Sequence, residues 1–188
     1  MTRYKNTRGF TLPEIMITLG VIAIVLSTAV PAIGSMIKDN ALANHLNTIV
    51  THIHYARAEA VKRDVRVILC RSASPTAPTP ACGGSAQIWE SGYIVFADDG
   101  SNSNSVYDAA TDTLLMRGMP ATSGIKMRTN SIWNNNLEFN PDGSTNESGS
   151  TAVMALCDSR GNTHGRMIQV ASNGITRMYA DNIASCYP

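Results

Sequence analysis

The chain has 188 residues, and its 15 basic and 14 acidic side chains give a formal net charge of +1. This balance excludes a protein that binds nucleic acid through its bulk charge, so such binding would need a local basic patch. The sequence contains no nucleotide-binding glycine loop, no HExxH or GxSxG motif and no paired CxxC spacing. We therefore predict a protein that is not an enzyme and holds no metal ion or cofactor.

The N-terminal part of the chain has the composition of a membrane-spanning helix. Residues 1–9 are polar and carry three cations, Arg3, Lys5 and Arg8, whereas residues 15–37 carry no charge. An apolar run of more than 18 residues is typical of a helix that crosses a membrane. Positive charge ahead of such a run keeps the N-terminus in the cytoplasm. We expect the large C-terminal part to be extracytoplasmic.

This apolar segment begins with one carboxylate, Glu14, in the first turn of the predicted helix. An ionised group costs roughly 2.5–3.5 kcal/mol at the bilayer centre and less near the interface, so its presence indicates a function and a partner. The positive end of the helix dipole stabilises it in part. An ordinary secretory signal is excluded, because no small-x-small cleavage site follows the run and Pro31 interrupts the one candidate, 29–34.

The residues around Glu14 resemble a known processing site. The stretch Gly9-Phe10-Thr11-Leu12-Pro13-Glu14 resembles the signature of type IV pilins and of the pseudopilins of type II secretion. The resemblance implies that a prepilin peptidase cuts after Gly9 and that Phe10 becomes an N-methylated N-terminus. It also implies that Glu14 pairs with the terminal amine of a neighbouring subunit during assembly. Pro13 replaces the usual aliphatic residue, a departure that the first turn of a helix tolerates.

The same resemblance divides the chain into three parts. Residues 1–9 are a cleaved cytoplasmic leader, residues 10–63 a long helix, and residues 64–188 a β-rich periplasmic domain. Within the helix, residues 10–37 would lie in the inner membrane and, after assembly, in the core of a pilus or pseudopilus. Pro31 matches the mid-helix proline of the family, which implies a kink or a locally melted turn. Loss of the leader removes three of the 15 basic residues and leaves 12 against 14 acidic ones.

The second half of the helix is predicted to pack on the domain, because apolar residues recur at three- and four-residue spacing up to about Arg63. This apolar stripe consists of Leu42, Leu46, Ile49, Ile53, Ala56 and Ala60. Of three histidines in this segment, His52 and His54 point to different faces, and only His45 and His52 could share one. We interpret all three as solvated or packed side chains and not as metal ligands.

Five cations cluster around the predicted end of the helix, and only two acidic residues oppose them. They are Arg57, Lys62, Arg63, Arg66 and Arg71. Cations complement the negative end of a helix dipole. We therefore favour helix capping and a solvated face over a binding patch.

Short strand-like segments separated by turn residues make up the rest of the chain. They lie at 65–70, 92–98, 113–116, 125–128, 137–140, 151–157, 166–171 and 175–179. The polar segment 98–112 is interpreted as a solvated turn and not as a calcium loop, because its spacing differs from the EF-hand pattern. The whole pattern favours an α+β fold in which the long N-terminal helix packs on an antiparallel β-sheet domain.

The four cysteines favour two disulfides in an exported domain. Cys70 and Cys82 flank a proline-rich loop, and a bond between them would close a loop of roughly a dozen residues. Cys186 is assigned to Cys157 from proximity and from the habit of the family. Four cysteines allow three pairings, so the connectivity stays open at this point.

The last strong pattern in the sequence is a hairpin. Asn173-Gly174 separates two strand-like segments and is typical of a two-residue turn. In that register Val170 would lie opposite Arg177, and Arg166 and Arg177 would share one face about 13 Å apart. Such a spacing suits two phosphates of a nucleic-acid backbone.

The C-terminal half of the chain resembles the FimT/GspH group of minor pilins and pseudopilins. The similar motifs are G-Y-I-V-F-x-D, L-C-D-x-R-G, G-R-x-I-x-V and S-x-G-x-x-R. FimT-type members are implicated in DNA uptake through a G-R-x-R motif near the C-terminus. The matching segment 174–177 lacks the first arginine, so only Arg177 carries over. Arg160, Arg166 and His164 are inferred from the local sequence as compensating DNA-binding residues.

Three functions follow from these resemblances. The chain is predicted to be a minor pilin that acts in assembly or at the tip of a type IV pilus. The same pilin would bind double-stranded DNA during natural transformation, or the chain would instead be a GspH-type pseudopilin of a type II secretion system. Expected partners are the prepilin peptidase, other pilin or pseudopilin subunits, the inner membrane and, for the second function, DNA. Two predicted disulfides and a long Pro-Thr-Ala loop favour the pilus.

Overall fold

The computed structural model describes residues 9–100, 104–133, 135–146, 149–180 and 183–187. The predicted leader lies outside these ranges, apart from Gly9. The chain divides into two compact units, Met1–Lys38 and Asp39–Pro188. One helix, α1 (Leu12–Arg63), begins in the first unit and ends in the second.

Within the described ranges, eight strands follow α1 and form two antiparallel sheets of four strands each. They are β1 (Arg66–Arg71), β2 (Tyr93–Asp98), β3 (Thr113–Gly118), β4 (Lys126–Thr129), β5 (Asn136–Phe139), β6 (Thr151–Cys157), β7 (Arg166–Ala171) and β8 (Thr176–Ala180). The strand order is β3-β2-β1-β5 in the first sheet and β4-β6-β7-β8 in the second. The predicted α+β fold is confirmed, and each predicted strand is present to within one or two residues.

The end of α1 is set by local signals. The Glu59 carboxylate pairs with Lys62 Nζ at 3.2 Å and with Arg63 Nε at 2.6 Å, contacts that three- and four-residue spacing allows on a helix. Asp64 then takes a left-handed backbone conformation, with φ of 57°, which stops the helix. The helix is uninterrupted at Pro31, so a locally melted turn is not observed there.

One hydrophobic core joins the second half of α1 to both sheets. Every residue of the predicted apolar stripe of α1 is buried. At the centre of the core, the Trp89 ring lies 5.8 Å from that of Trp133 and 6.2 Å from that of Tyr93. Both tryptophans lie outside the helices and strands, so no periodic pattern in the sequence marks them as core residues.

The turn between β7 and β8 differs from the predicted one. The Gly174 N–H donates to the Ala171 carbonyl at 2.8 Å, and the Ala171 N–H donates to the Ile175 carbonyl at 3.0 Å. The loop therefore has three residues and not two, with Gly174 in the left-handed region at φ of 75°. This is the common arrangement of a tight turn followed by a left-handed glycine.

The extra loop residue shifts the hairpin register by one position. Val170 lies opposite Thr176, and Arg177 lies opposite Gln169. A shift of one residue turns every side chain of a strand to the other face. Arg166 and Arg177 consequently lie on opposite faces of the sheet, and the prediction that they share a face is wrong.

The two disulfides expected from the sequence, Cys70–Cys82 and Cys157–Cys186, are present. The first closes the loop that follows β1, which would stabilise the domain by about 3 kcal/mol in the chain-entropy account. The second attaches the C-terminal tail to β6, where Ile183 packs against Cys157.

Candidate functional site

The predicted processing and assembly site lies in the turn that opens α1. The Thr11 carbonyl accepts hydrogen bonds from the N–H groups of Glu14 at 3.1 Å and Ile15 at 3.2 Å. In return, Glu14 Oε2 accepts a hydrogen bond from the Thr11 N–H at 3.5 Å. The hydrogen bond from the Thr11 N–H to the Glu14 carboxylate is one of the two bonds that make up a capping box. The T-x-x-E spacing ahead of an apolar run could have indicated it from the sequence.

The predicted cleavage site precedes this capped turn. Gly9 and Phe10 are outside the helix and exposed, and the Phe10 side chain is 79% exposed. A peptidase needs an extended, accessible backbone at the bond that it cuts. The arrangement therefore suits cleavage between these two residues, which stays a prediction.

The first unit presents an apolar helix surface on all sides. Every described side chain at 12–30 and 32–38 is exposed, apart from the half-buried Ala29. By length and composition this part of α1 could cross a membrane, and its mean hydropathy reaches 2.3. Four hydroxyl groups donate to carbonyls three residues earlier, those of Thr18, Ser27, Thr28 and Ser35. Because the helix satisfies these groups itself, its surface can face lipid or other helices.

Arg160, one of the three predicted DNA-binding arginines, is held by two carboxylates. Its Nη2 lies 2.7 Å from Asp158 Oδ2 and 2.8 Å from Asp39 Oδ1. The hydrogen bonds that Arg160 donates to Asp158 and Asp39 raise the pKa of Arg160, and the bond to Asp39 lowers the pKa of that carboxyl. The pairs attach α1 at Asp39 to the loop after β6. A phosphate contact by Arg160 would require these pairs to break.

The other two predicted arginines are placed differently from each other. Arg166 is half-buried at the start of β7, and its Nε is shut off from solvent without a hydrogen-bond partner. Arg177 is exposed on β8 beside a shallow cavity of about 170 Å3 that Gln169 and Asn173 also line. The structure does not bring Arg160, Arg166 and Arg177 to one surface.

Comparison with known families decides what kind of protein carries these features. The family model described as Type II transport protein GspH matches residues 45–174. The chain belongs to the GspH family. The model described as the prokaryotic N-terminal methylation motif matches residues 4–30, which include Gly9, Phe10 and Glu14. This GspH-family chain is therefore pilin-like, as the resemblance in the sequence implied.

Solved structures confirm the fold of this GspH-family protein. Two crystal forms of the type IV minor pilin FimU of Pseudomonas aeruginosa are similar to it, with TM-scores of 0.58 and 0.55. The sequences are 19% and 18% identical, and the matches cover 80% and 78% of this chain and 98% and 100% of the FimU chains. No protein with a curated description matches the chain.

The five cations at the end of α1 in this GspH-family chain do not form a solvated face. The Arg57 guanidinium donates from Nε to the Gly143 carbonyl at 2.9 Å and from Nη2 to the Asn173 carbonyl at 3.1 Å. Arg66 pairs with carboxylates on two neighbouring strands, and Arg71 is buried. The solvated-face prediction is wrong for these three, whereas Lys62 and Arg63 stay exposed at the helix end.

The three histidines of α1 are packed or solvated. His45 Nε2 accepts a hydrogen bond from the Thr122 N–H at 3.0 Å, and His52 Nδ1 lies 2.8 Å from the Tyr93 hydroxyl oxygen. Burial lowers the pKa of His45 and of His52. His54 is exposed. Within the described ranges, no three His, Cys, Asp or Glu side chains are placed to share a metal ion.

Proposed function

We propose that this protein is a minor pilin of a type IV pilus, with a structural role in filament assembly or at the filament tip. The proposal depends on the exposed, apolar first part of α1, residues 12–37, whose one carboxylate, that of Glu14, lies in the first turn. In this function the helix first anchors the subunit in the inner membrane. It then packs among the helices of other subunits in the filament core.

The negative charge of Glu14 calls for a positively charged partner on a neighbouring subunit. The hydrogen bond from the Thr11 N–H is long at 3.5 Å, and no cation among the described residues pairs with the Glu14 carboxylate. Cleavage after Gly9 would create a positively charged amine on Phe10. The amine of a neighbouring subunit would offset the Glu14 charge in the apolar filament core, where an unpaired charge is costly.

The choice of a pilus rests on two observations. The fold is similar to that of FimU, which is a type IV minor pilin. Two disulfides also brace the C-terminal domain, as suits a subunit that is exposed outside the cell. The second candidate, a GspH-type pseudopilin of a type II secretion system, is supported by the family to which the chain belongs.

Binding of double-stranded DNA is a further role that such a pilin could have, but it has less support from the geometry. Of the three predicted arginines, Arg177 is exposed, whereas Arg160 is ion-paired and Arg166 is half-buried on the other face. A single phosphate contact adds little affinity at physiological salt. We therefore place assembly ahead of DNA capture.

A Glu14→Ala substitution tests the assembly role. We expect the prepilin peptidase to remove the leader as before, because Gly9 and Phe10 are unchanged, while the subunit becomes depleted from sheared filaments. Leader removal is read from the mobility of the protein on a gel, and incorporation from immunoblots of the sheared fraction. Thr18→Val serves as the matched control, because the Thr18 hydroxyl donates to the Ile15 carbonyl of its own helix. We expect this variant to be incorporated normally. Undiminished incorporation of the Glu14 variant would contradict the pairing role.

Deletion of the gene distinguishes the two machines. Loss of surface pili with normal export of folded proteins supports the minor pilin. Loss of protein secretion with normal pili would instead show a pseudopilin.

A further inference from the structure

A buried arginine outside the assembly helix lines the wall of a polar cavity. Arg71 is the last residue of β1 and is only 7% exposed. The cavity has a volume of about 270 Å3 and is also lined by the Cys70–Cys82 disulfide, Gly83, Asn104, Asn135 and Asn136. No role in the pilin fold described above uses this cavity.

The Arg71 guanidinium lacks the partners that a buried charge needs. Its Nε and Nη1 are buried, and neither has a hydrogen-bond partner among the described residues. In the part of the chain that the structure describes, no carboxylate pairs with it. Burial alone lowers the pKa of Arg71. An arginine stays charged even so, and a buried charge without a counter-charge is strongly unfavourable.

Arg66, at the other end of the same strand, is a half-buried arginine for which the fold supplies the counter-charges itself. Arg66 forms ion pairs with Asp98 of β2 and with Glu138 of β5, the strands on either side. Arg71 lies between the same two strands, opposite Tyr93 and beside the loop that leads to β5. Neither neighbour offers it a carboxylate. By contrast, the described part of the chain supplies no counter-charge for Arg71.

The amides around the cavity supply further hydrogen-bond donors. The Asn104 side-chain oxygen accepts a hydrogen bond from the Val106 N–H, which leaves its amide NH2 to act as a donor. Asn135 is exposed, at the rim. The Asn136 amide already donates one hydrogen bond to Glu138 Oε1, at 2.6 Å. One guanidinium with amide donors is a donor set that matches a planar anion of single charge.

We propose that this cavity binds a carboxylate group, held by the guanidinium of Arg71 and the amides of Asn104 and Asn135. A carboxylate matches the single positive charge, whereas a doubly charged phosphate would leave net negative charge in a half-enclosed site. The carboxylate belongs either to a small organic acid or to a second copy of this chain. The experiment below separates these sources.

Nuclear magnetic resonance of the full-length chain in detergent micelles, with nitrogen-15 in its arginines, tests the proposal with acetate as the probe. The Arg71 Nε–H signal is assigned by its loss in Arg71→Lys. Acetate should shift this signal saturably, and chloride at equal ionic strength should not. The Arg66 Nε–H signal is the internal control and should stay in place, because its carboxylates are already bound. No saturable shift with acetate, an equal shift with chloride, or a stronger response to inorganic phosphate would overturn the proposal.

Protein concentration separates the two sources of the carboxylate. If the Arg71 signal moves towards its acetate-bound position as the chain is concentrated, and acetate reverses the accompanying self-association, a second copy supplies the group. If the signal does not depend on protein concentration, a small acid supplies it. Either result supports the site.

Thermal melting of Arg71→Met gives an independent readout. In acetate-free buffer this variant should melt no lower than the parent chain, because it removes an uncompensated buried charge and keeps the volume. Acetate should raise the melting temperature of the parent chain and leave that of the variant unchanged. A variant that melts clearly lower without acetate would show that Arg71 has an internal partner, which contradicts the proposal.

Discussion

At the level of single residues, we expect two histidines to make the stability of the domain depend on pH. His45 and His52 contact the domain from α1, and burial lowers the pKa of both below 6.5. The His45 ring accepts the Thr122 N–H at Nε2, so a proton on that nitrogen would break this bond and leave the Thr122 Oγ1, 2.8 Å away, as its partner. The neutral form of each histidine is thus the one that suits the folded state.

We predict that stability falls as the pH drops from about 6.5, the unfolded pKa of histidine. The folded pKa of each histidine lies below the unfolded one, so the unfolded chain takes up protons first and unfolding becomes more favourable. The stabilisation is complete above the unfolded pKa and is lost as the pH falls through the folded pKa. His45→Gln should reduce this dependence, because glutamine can accept the Thr122 hydrogen bond and does not titrate.

The measurement is the urea midpoint of the full chain, about one unit above and below pH 6.5. His54→Gln is the matched control, because His54 is exposed and should leave the pH dependence unchanged. If His45→Gln keeps the full pH dependence of the parent chain, the assigned role of His45 is wrong.

At the scale of elements, three segments meet where Arg57 of α1 donates to two turns. One turn follows β5 and contributes the Gly143 carbonyl, and the other joins β7 to β8 and contributes the Asn173 carbonyl. Since β5 belongs to one sheet and β7 and β8 to the other, Arg57 ties both sheets to the helix. Gly174 makes this contact possible, because any side chain there would meet the neighbouring turn.

Gly174→Ala should therefore destabilise the domain more than the backbone conformation alone explains. A Cβ at this position would lie 2.2 Å from the Gly143 oxygen and 2.7 Å from Arg57 Nε. We expect a loss of roughly 1–2 kcal/mol from the left-handed backbone and about 1–3 kcal/mol more from the clash. Gly149→Ala is the matched control, because Gly149 has a similar φ of 76° and nothing within 4 Å of its Cβ position. Equal losses for the two variants, measured by urea unfolding, would show that the contact is unimportant.

The elements also show which parts of the fold the sequence could predict. The apolar run, the helical stripe and the short strands depend on local periodicity, and all are found where the sequence indicates them. The hairpin register could not be fixed in this way, because an Asn-Gly pair fits both a two-residue turn and a three-residue loop that ends in a left-handed glycine. The difference of one residue moved Arg177 to the face opposite Arg166.

At the scale of the whole molecule, long-range contacts decided what the sequence left open. The division of the strands into two sheets depends on which strands pair, and strand-like segments look alike in either sheet. Trp89 and Trp133 are buried in irregular segments without periodicity. Arg71 looks like the other cations near the helix end, and its burial follows from the loop that the Cys70–Cys82 disulfide closes over the end of β1.

Some residues of the candidate site could likewise be predicted from local sequence, and others depend on the fold. The N-terminal motif is local and strongly patterned, so the sequence alone indicated the cleavage site, Glu14 and the anchor helix. The DNA-binding residues were inferred from neighbours along the sequence. The fold places Arg160 and Arg166 near the same carboxylate, Asp39, but turns Arg177 to the face opposite Arg166. Ion pairs with Asp158 and Asp39 occupy Arg160, a use that one-dimensional spacing cannot reveal.

The proposed role as a processed subunit of a type IV pilus can be tested by mass spectrometry of filaments sheared from the cell surface. We expect the protein in the sheared fraction, with an N-terminal peptide that begins at an N-methylated Phe10. If the protein stays in the membrane fraction of piliated cells, or still carries residues 1–9, the proposed role is wrong.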